Sequence, residues 1–209
     1  MDNSVLFRDF EERDIDFIYK CKNDEKLNRM IVGEYHPFSY KEAVDWVHGC
    51  MGEHETYKFW AVCTNDDEKR IVGWVSLSKI DKVNRNACFH GIVIGDKDYH
   101  NGLAWVESYL FVYQYAFETL KLNRVYGESL IGHKQSDNIG WITFSQHEGI
   151  KREAVYRNGR YYDVALGALL SKDYFEHKNN GDYELKSILR RFQYLKKIDY
   201  HYRINYYKD

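Results

Sequence analysis

The sequence predicts an α+β domain: a mixed, mostly antiparallel central sheet flanked by helices, with a C-terminal helical extension. Three observations carry that expectation. The apolar runs KFWAVCTN, RIVGWVSLSKID and NACFHGIVIG follow one another across the short polar turns DDEK and KVNRN, as an antiparallel meander does. A helical stripe comes next, with Val106, Tyr109, Leu110, Tyr113, Phe117 and Leu120 at a period near 3.6. Beyond the polar stretch HKNNGD, Leu185, Ile188, Leu189, Phe192 and Leu195 again keep helical spacing.

Taken in order, SVLFRDF suits a first strand, and Ile15, Ile18 and Tyr19 in ERDIDFIYKCKND suit a helix after it. SYKEAVDWVHGCM opens on Ser39 with Glu42 three residues later, a capping box, and places Ala43, Trp46, Val47 and Cys50 on one stripe. The long helix is expected from Trp105 to Leu122. NRVYGESL is a strand, DNIGWITFSQHEG a short helix stopped by Gly149, and AVYRNGRYYDVALGALL a hairpin about Asn158 and Gly159. HKNNGD reads as a linker, and the chain ends in an amphipathic helix and a Tyr-rich tail. Two units follow: residues 1–175, and a C-terminal amphipathic helix and tail over residues 176–209.

Thirty Lys and Arg against 32 Asp and Glu give a formal charge of -2, which supplies no general field for nucleic acid. The basic side chains Arg190, Arg191, Lys196 and Lys197 of the tail helix are expected on a solvated face. The four cysteines, Cys21, Cys50, Cys63 and Cys88, lie far apart without metal-ligand spacing, so buried free thiols are expected and no metal. MDNSVLFRDFEERD lacks an apolar signal core, and no run reaches the roughly 18 apolar residues of a membrane span. A cytoplasmic protein with no membrane partner is the expectation, and association through the aromatic tail would make a homodimer.

The order strand, helices, three-stranded meander, turn, long helix, strand, helix, hairpin resembles the GNAT superfamily of acyl-CoA-dependent N-acyltransferases. The words IGDKDYHNG, YAFETLKLNRVYGES, DNIGWITFSQHEGIKRE and VYRNGRYYDVALGALL resemble the branch that acetylates ribosomal and other protein N-termini, polyamines, aminoglycosides and nucleotide amino-sugars. The resemblance covers residues 4 to 175 and is most specific over 88 to 170. It implies the GNAT fold for the unit 1–175 and acetyl-CoA as co-substrate.

The resemblance also implies a site. Members of the family usually hold the CoA pyrophosphate on a Q/R-x-x-G-x-G/A turn at the start of the long helix, which falls on His100, Asn101, Gly102, Leu103, Ala104 and Trp105. Both glycines have then become Leu103 and Trp105, and a β-carbon there can block close approach of a phosphate. Sliding the turn by one residue sets Asn101, Ala104 and Val106 on the motif instead. The pantetheine amides would pair with the backbone of Ile92, Val93 and Ile94, where an N–H can also stabilise an oxyanion. The family's Asn is kept as Asn138, while its Tyr, a proton donor to the leaving thiolate, falls on Ser145, leaving water or His147 as substitutes. No carboxylate lies on ACFHGIVIG, so His90 is the titratable candidate for the base, with a core position as the other reading.

The expected reaction is transfer of an acetyl group from acetyl-CoA to a primary amine of a small molecule, amino-sugar-like, or of a protein N-terminus. Tyr35, His36, Trp46, Tyr156, Arg157, Tyr161 and Tyr162 would line the acceptor cleft, or else pack within the hairpin. Aromatic and basic walls suit an amino-sugar better than a polycation. The alternative is a non-catalytic GNAT-fold binding protein with a degenerate pyrophosphate loop, whose cleft Leu103 or Trp105 would fill.

Overall fold

A computed structural model describes residues 4–33 and 35–197. Seven strands form one sheet in the order β1-β2-β3-β4-β5-β7-β6. They are β1 (Val5–Arg8), β2 (Tyr57–Thr64), β3 (Ile71–Asp81), β4 (Asn86–Ile94), β5 (Arg124–Leu130), β6 (Gln146–Arg157) and β7 (Arg160–Leu170). Each neighbouring pair is antiparallel except β4 and β5, which the long helix joins as a parallel pair. The α+β expectation and the meander therefore hold.

The helices are α1 (Ile15–Lys22), α2 (Glu25–Asn28), α3 (Tyr40–Cys50), α4 (Leu103–Gln114), α5 (Lys134–Ile142), α6 (Ser171–Asn179) and α7 (Leu185–Lys197). Both halves of the α3 capping box form, with Ser39 N–H donating to Glu42 Oε2 at 2.7 Å and Glu42 N–H to Ser39 Oγ at 3.3 Å. Such a cap stabilises a helix by about 1 kcal/mol. The α4 stripe starts two residues before its expected first residue and widens into a π-turn, Tyr115–Thr119.

Two apolar layers sandwich the sheet. One, on the α1 and α3 side, gathers Phe10, Ile18, Val47, Cys63 and Trp74. The other, under α4, gathers Leu77, Phe89, Trp105, Val112, Phe117 and Leu169, and it also takes Ile188 and Leu195 from α7. All four cysteines are buried free thiols, and burial pushes those of Cys21 and Cys50 up to about 12. No described helix is long and apolar enough to cross a membrane.

Two expectations need correction. Gly149 does not stop α5: the helix ends at Ile142, Phe144 turns the chain at φ 65°, and Gly149 lies inside β6 at a break in register with β7. Nor is HKNNGD wholly a linker, since α6 runs through Asn179 and only the turn about Gly181, at φ 73°, separates it from α7. Residue 175 thus lies within a helix. The tail from 198 onward lies outside the described residues. The hairpin turn is as expected, with Asn158 at φ 52° and Gly159 at φ 77°, the positive pair that fits the twist of its strands.

Candidate active site

The site begins where two strands part. β4 pairs with β5 only over Asn86, Ala87 and Cys88, opposite Arg124, Val125 and Tyr126. Beyond Cys88, β4 runs on beside β3 and β5 runs on beside β7, so their facing edges open into a wedge. Backbone groups along such an edge need partners, and an extended amide-bearing chain laid in the wedge can supply them.

At the mouth of the wedge β4 carries an extra residue. Ser76 pairs with Gly91 and Leu77 with Phe89, which leaves His90 as the bulged position. Gly91 takes φ 128° here, and a β-carbon on it would meet nothing within 4 Å. The bulge aims His90 out of the core: its ring is exposed, yet the walls around it still lower its pKa by desolvation, helped by the charges of Lys22 and Lys79. Both causes favour the uncharged imidazole.

Phe89, the neighbour that points to the other face, stacks on Tyr109 of α4 with ring centroids 4.1 Å apart. Burial pushes the Tyr109 phenol up to about 12, although a hydrogen bond with Ser136 of α5 works against it. A protonated phenol thus stands between α4 and α5 at the parting of the strands. Its position in the helical stripe gave it the signature of a core residue, so nothing in the sequence singled it out. Ser145 stands elsewhere. It follows α5, lies beside the buried Tyr113 hydroxyl, and its Oγ would be 3.1 Å from a β-carbon on Gly167 of β7. His147 lies on β6 opposite Gly167.

The turn leading into α4 holds the residues expected at the pyrophosphate. Gly102 is the N-cap at φ 94°, a left-handed conformation that favours glycine. Leu103 donates its N–H to Asn101 Oδ1 at 2.9 Å. His100 turns back, its Nε2 2.8 Å from the Ile94 carbonyl and its ring tilted against Trp105 at 5.0 Å. Trp105 and Ala104 are buried in the core below, while Leu103 is half-buried. Glu107 is an anchor: its carboxylate accepts from Ser4 N–H at 3.0 Å, Ser4 Oγ at 2.7 Å and Val5 N–H at 3.1 Å.

Does this groove fit acetyl-CoA? The wedge offers free backbone edges of the kind an extended acyl-CoA arm pairs with, and Ile92, Val93 and Ile94 lie on the β4 edge. The helix end does not fit as it stands. There Phe192 of α7 packs on the turn: a β-carbon on Gly102 would fall 3.0 Å from two of its ring carbons. Asn138, the other expected contact, is half-buried on α5.

On the opposite face of β4 lies a cage of aromatic rings around a cation. The Lys22 ammonium sits 4.4 Å from the ring centre of Trp46, 5.1 Å from Phe38 and 5.5 Å from Trp74. Burial draws its pKa below the ordinary lysine value, and among the described residues no carboxylate comes within salt-bridge distance of it. Of the expected acceptor-wall residues, Trp46 belongs to this cage. Arg157 instead ties the hairpin to the loop after α2, donating to the carbonyls of Arg29, Ile31 and Gly33 at 2.6 to 2.8 Å. Tyr156 and Tyr161 pair across the hairpin at 4.9 Å and remain exposed, and Tyr162 lies under the Arg160 guanidinium.

Comparison with known proteins gives a consistent answer. Residues 4–140 match the family model described as an acetyltransferase (GNAT) domain. The chain is 31% identical over 108 residues, 50% of its length and 56% of the relative's, to YdaF, a candidate ribosomal N-acetyltransferase of Bacillus subtilis (strain 168). It is 22% identical over 175 residues to the spermidine N(1)-acetyltransferase of Vibrio cholerae, covering 83% of this chain and 97% of that one. The crystal structure of a Vibrio cholerae spermidine N-acetyltransferase with CoA and spermine shares the fold at a TM-score of 0.71 and 22% identity, over 82% of this chain and 98% of that chain. A GNAT acetyltransferase from Bacillus anthracis does so at 0.70 and 20% identity, over the same shares.

Proposed function

The chain belongs to the GNAT acetyltransferase family, whose co-substrate is acetyl-CoA, and from that premise we propose that it acetylates a primary amine carrying an anionic group, as a nucleotide-linked amino-sugar does. The observation that carries the reading is the wedge between β4 and β5 with His90 bulged at its mouth. Ile92, Val93 and Ile94 would hold the pantetheine arm by their backbone. Acetyl-CoA supplies an activated acyl group when bound; the rest falls to the chain.

His90, its uncharged form favoured, takes a proton from the acceptor ammonium, because only the free amine has the lone pair that attacks a carbonyl. A backbone N–H of β4 at the wedge faces the developing oxyanion. Tyr109 stays protonated, and its hydroxyl stands at the parting of the strands to donate to the negative charge that collects on the leaving sulfur. This assigns to α4 the phenol that the family pattern expects at position 145.

Lys22 supports the choice of acceptor. A desolvated ammonium without a carboxylate is costly, and an anionic substrate group would complete it. The relative from Vibrio cholerae is named for spermidine, but a polycation gains nothing beside Lys22. The test is release of free CoA thiol from acetyl-CoA across amines with and without a phosphate or carboxylate, spermidine included. Anionic amines should turn over best, and Lys22→Met should raise their KM about tenfold or more while sparing neutral amines. Equal loss for both classes would remove Lys22 from acceptor binding. The covered Gly102 favours a non-catalytic binding protein as the second reading, and no CoA release with any amine would support it.

A further inference from the structure

The helix that covers Gly102 is built to do so. α7 turns Ile188, Arg191, Phe192 and Leu195 inward at helical spacing, and Ile188 and Leu195 are buried in the same core as Phe89 and Trp105. Phe192 rests on Gly102 at the start of α4, while Arg191 lies over the Phe144 ring at 4.6 Å and Tyr194 stacks on Trp141 of α5 at 5.7 Å. The helix therefore bridges α4 and α5.

That bridge differs from ordinary core packing in one respect. The stack of Tyr194 on Trp141 is between two exposed rings, and Leu189, Arg190, Lys196 and Lys197 face solvent. Behind it, the attachment of α6 is deeper. Tyr174 is buried against Phe117 at 5.0 Å, and His177 lies 3.6 Å above Phe144 while paired with Asp182 at 2.8 Å. α6 is thus a fixed base, and the turn after Gly181 leads from it into α7, with the Asp182 carbonyl accepting from Arg191.

We propose that α7 is an intramolecular cap over the phosphate end of the acyl-CoA groove, held by Phe192 on Gly102, and that the phosphates of CoA bind only when it lifts. The inference rests on the acyl-CoA reading above. A closed cap makes the apparent affinity for CoA the intrinsic affinity scaled by the open fraction. It leaves the wedge, and hence binding of a pantetheine arm without phosphates, unaffected.

The test compares acetyl-CoA with acetyl-pantetheine by calorimetry on the full chain and on Phe192→Ala, with Tyr194→Ala as a second variant that loosens the bridge without opening the core. Thermal melts establish that each variant is folded. Phe192→Ala should bind acetyl-CoA about tenfold more tightly or better, Tyr194→Ala should gain less, and acetyl-pantetheine should bind all three alike. Hydrogen exchange on the wild type should quicken over residues 185 to 197 when acetyl-CoA is added. If acetyl-pantetheine binds but neither variant gains affinity for acetyl-CoA, or if α7 becomes more protected, the cap is overturned while the acyl-CoA reading stands. If neither ligand binds any of the three chains, both fall.

Discussion

The two ends of the groove are made of different material. At the wedge the lining is backbone: β4 and β5 part after Cys88, and what they offer depends on strand geometry rather than on particular side chains. At the first turn of α4 the geometry is also favourable, with Gly102 left-handed and helix N–H groups following it. There the outcome turns on single residues, because Leu103 donates to Asn101, Trp105 is drawn into the core, and Phe192 covers the glycine. A site made by strand geometry can outlast changes in sequence that close one made by a glycine turn. Chemistry should accordingly be sought at the wedge, and control of affinity at the turn.

The largest test of that division is His90→Gln, which keeps a polar side chain but cannot take the proton. It should lower kcat with the best amine by about 10²–10⁴-fold and leave the acetyl-CoA dissociation constant unchanged by calorimetry. A loss of affinity instead would place His90 at the cofactor and break the division. Wild-type rate should fall on the acid side as His90 charges, with the limb below the ordinary value of about 6.5 because desolvation lowers its pKa. His90→Gln should lose that limb. The same shift means that the unfolded chain binds the proton more readily, so the contribution of His90 to stability declines as pH falls from 6.5 through its folded pKa.

A smaller effect is expected from Tyr109→Phe, which keeps the stack on Phe89 but removes the hydroxyl. Since water can also protonate a thiolate, the fall in kcat should sit near the low end for general acids, about 10²-fold. Ser145→Ala should leave kcat within about twofold, because its hydroxyl is engaged beside Tyr113 and Gly167. The reverse ranking would return the acid to Ser145.

These residues also mark how far the sequence could be read. The meander, the α3 capping box and the hairpin at Asn158 and Gly159 were legible because each is specified by neighbours along the chain. Tyr109 was hidden inside a correct reading, since a helical stripe shows that a residue is inward but not whether it meets core or cleft. His90 stayed undecided between base and core because a bulge depends on the register of β3 against β4. The α7 stripe announced a buried face without saying what it buries, and only the folded chain brings Phe192 to a glycine ninety positions earlier. Gly149 misled for the opposite reason: a glycine that ends helices also suits a register break in a strand.

The smallest effect discriminates most finely between the two ends, and it comes from two glycines that both hold a positive φ. Gly91 at the bulge has φ 128° and Gly102 at the turn φ 94°, so alanine is strained at both, by about 1–2 kcal/mol. Their surroundings differ, since a β-carbon at Gly91 meets open space and one at Gly102 meets the Phe192 ring at 3.0 Å. Gly102→Ala should therefore cost about 1 kcal/mol more in urea denaturation than Gly91→Ala. The excess should vanish when Phe192 is also alanine, a coupling within the usual range of about 0.5–3 kcal/mol for residues in contact. Equal costs and an additive cycle would mean that Phe192 does not press on Gly102 in solution, and the cap would lose its contact. A coupling confined to Gly102 would show that the ring bears on the turn and not on the wedge, which is the asymmetry that lets one end of the groove be closed while the other stays open.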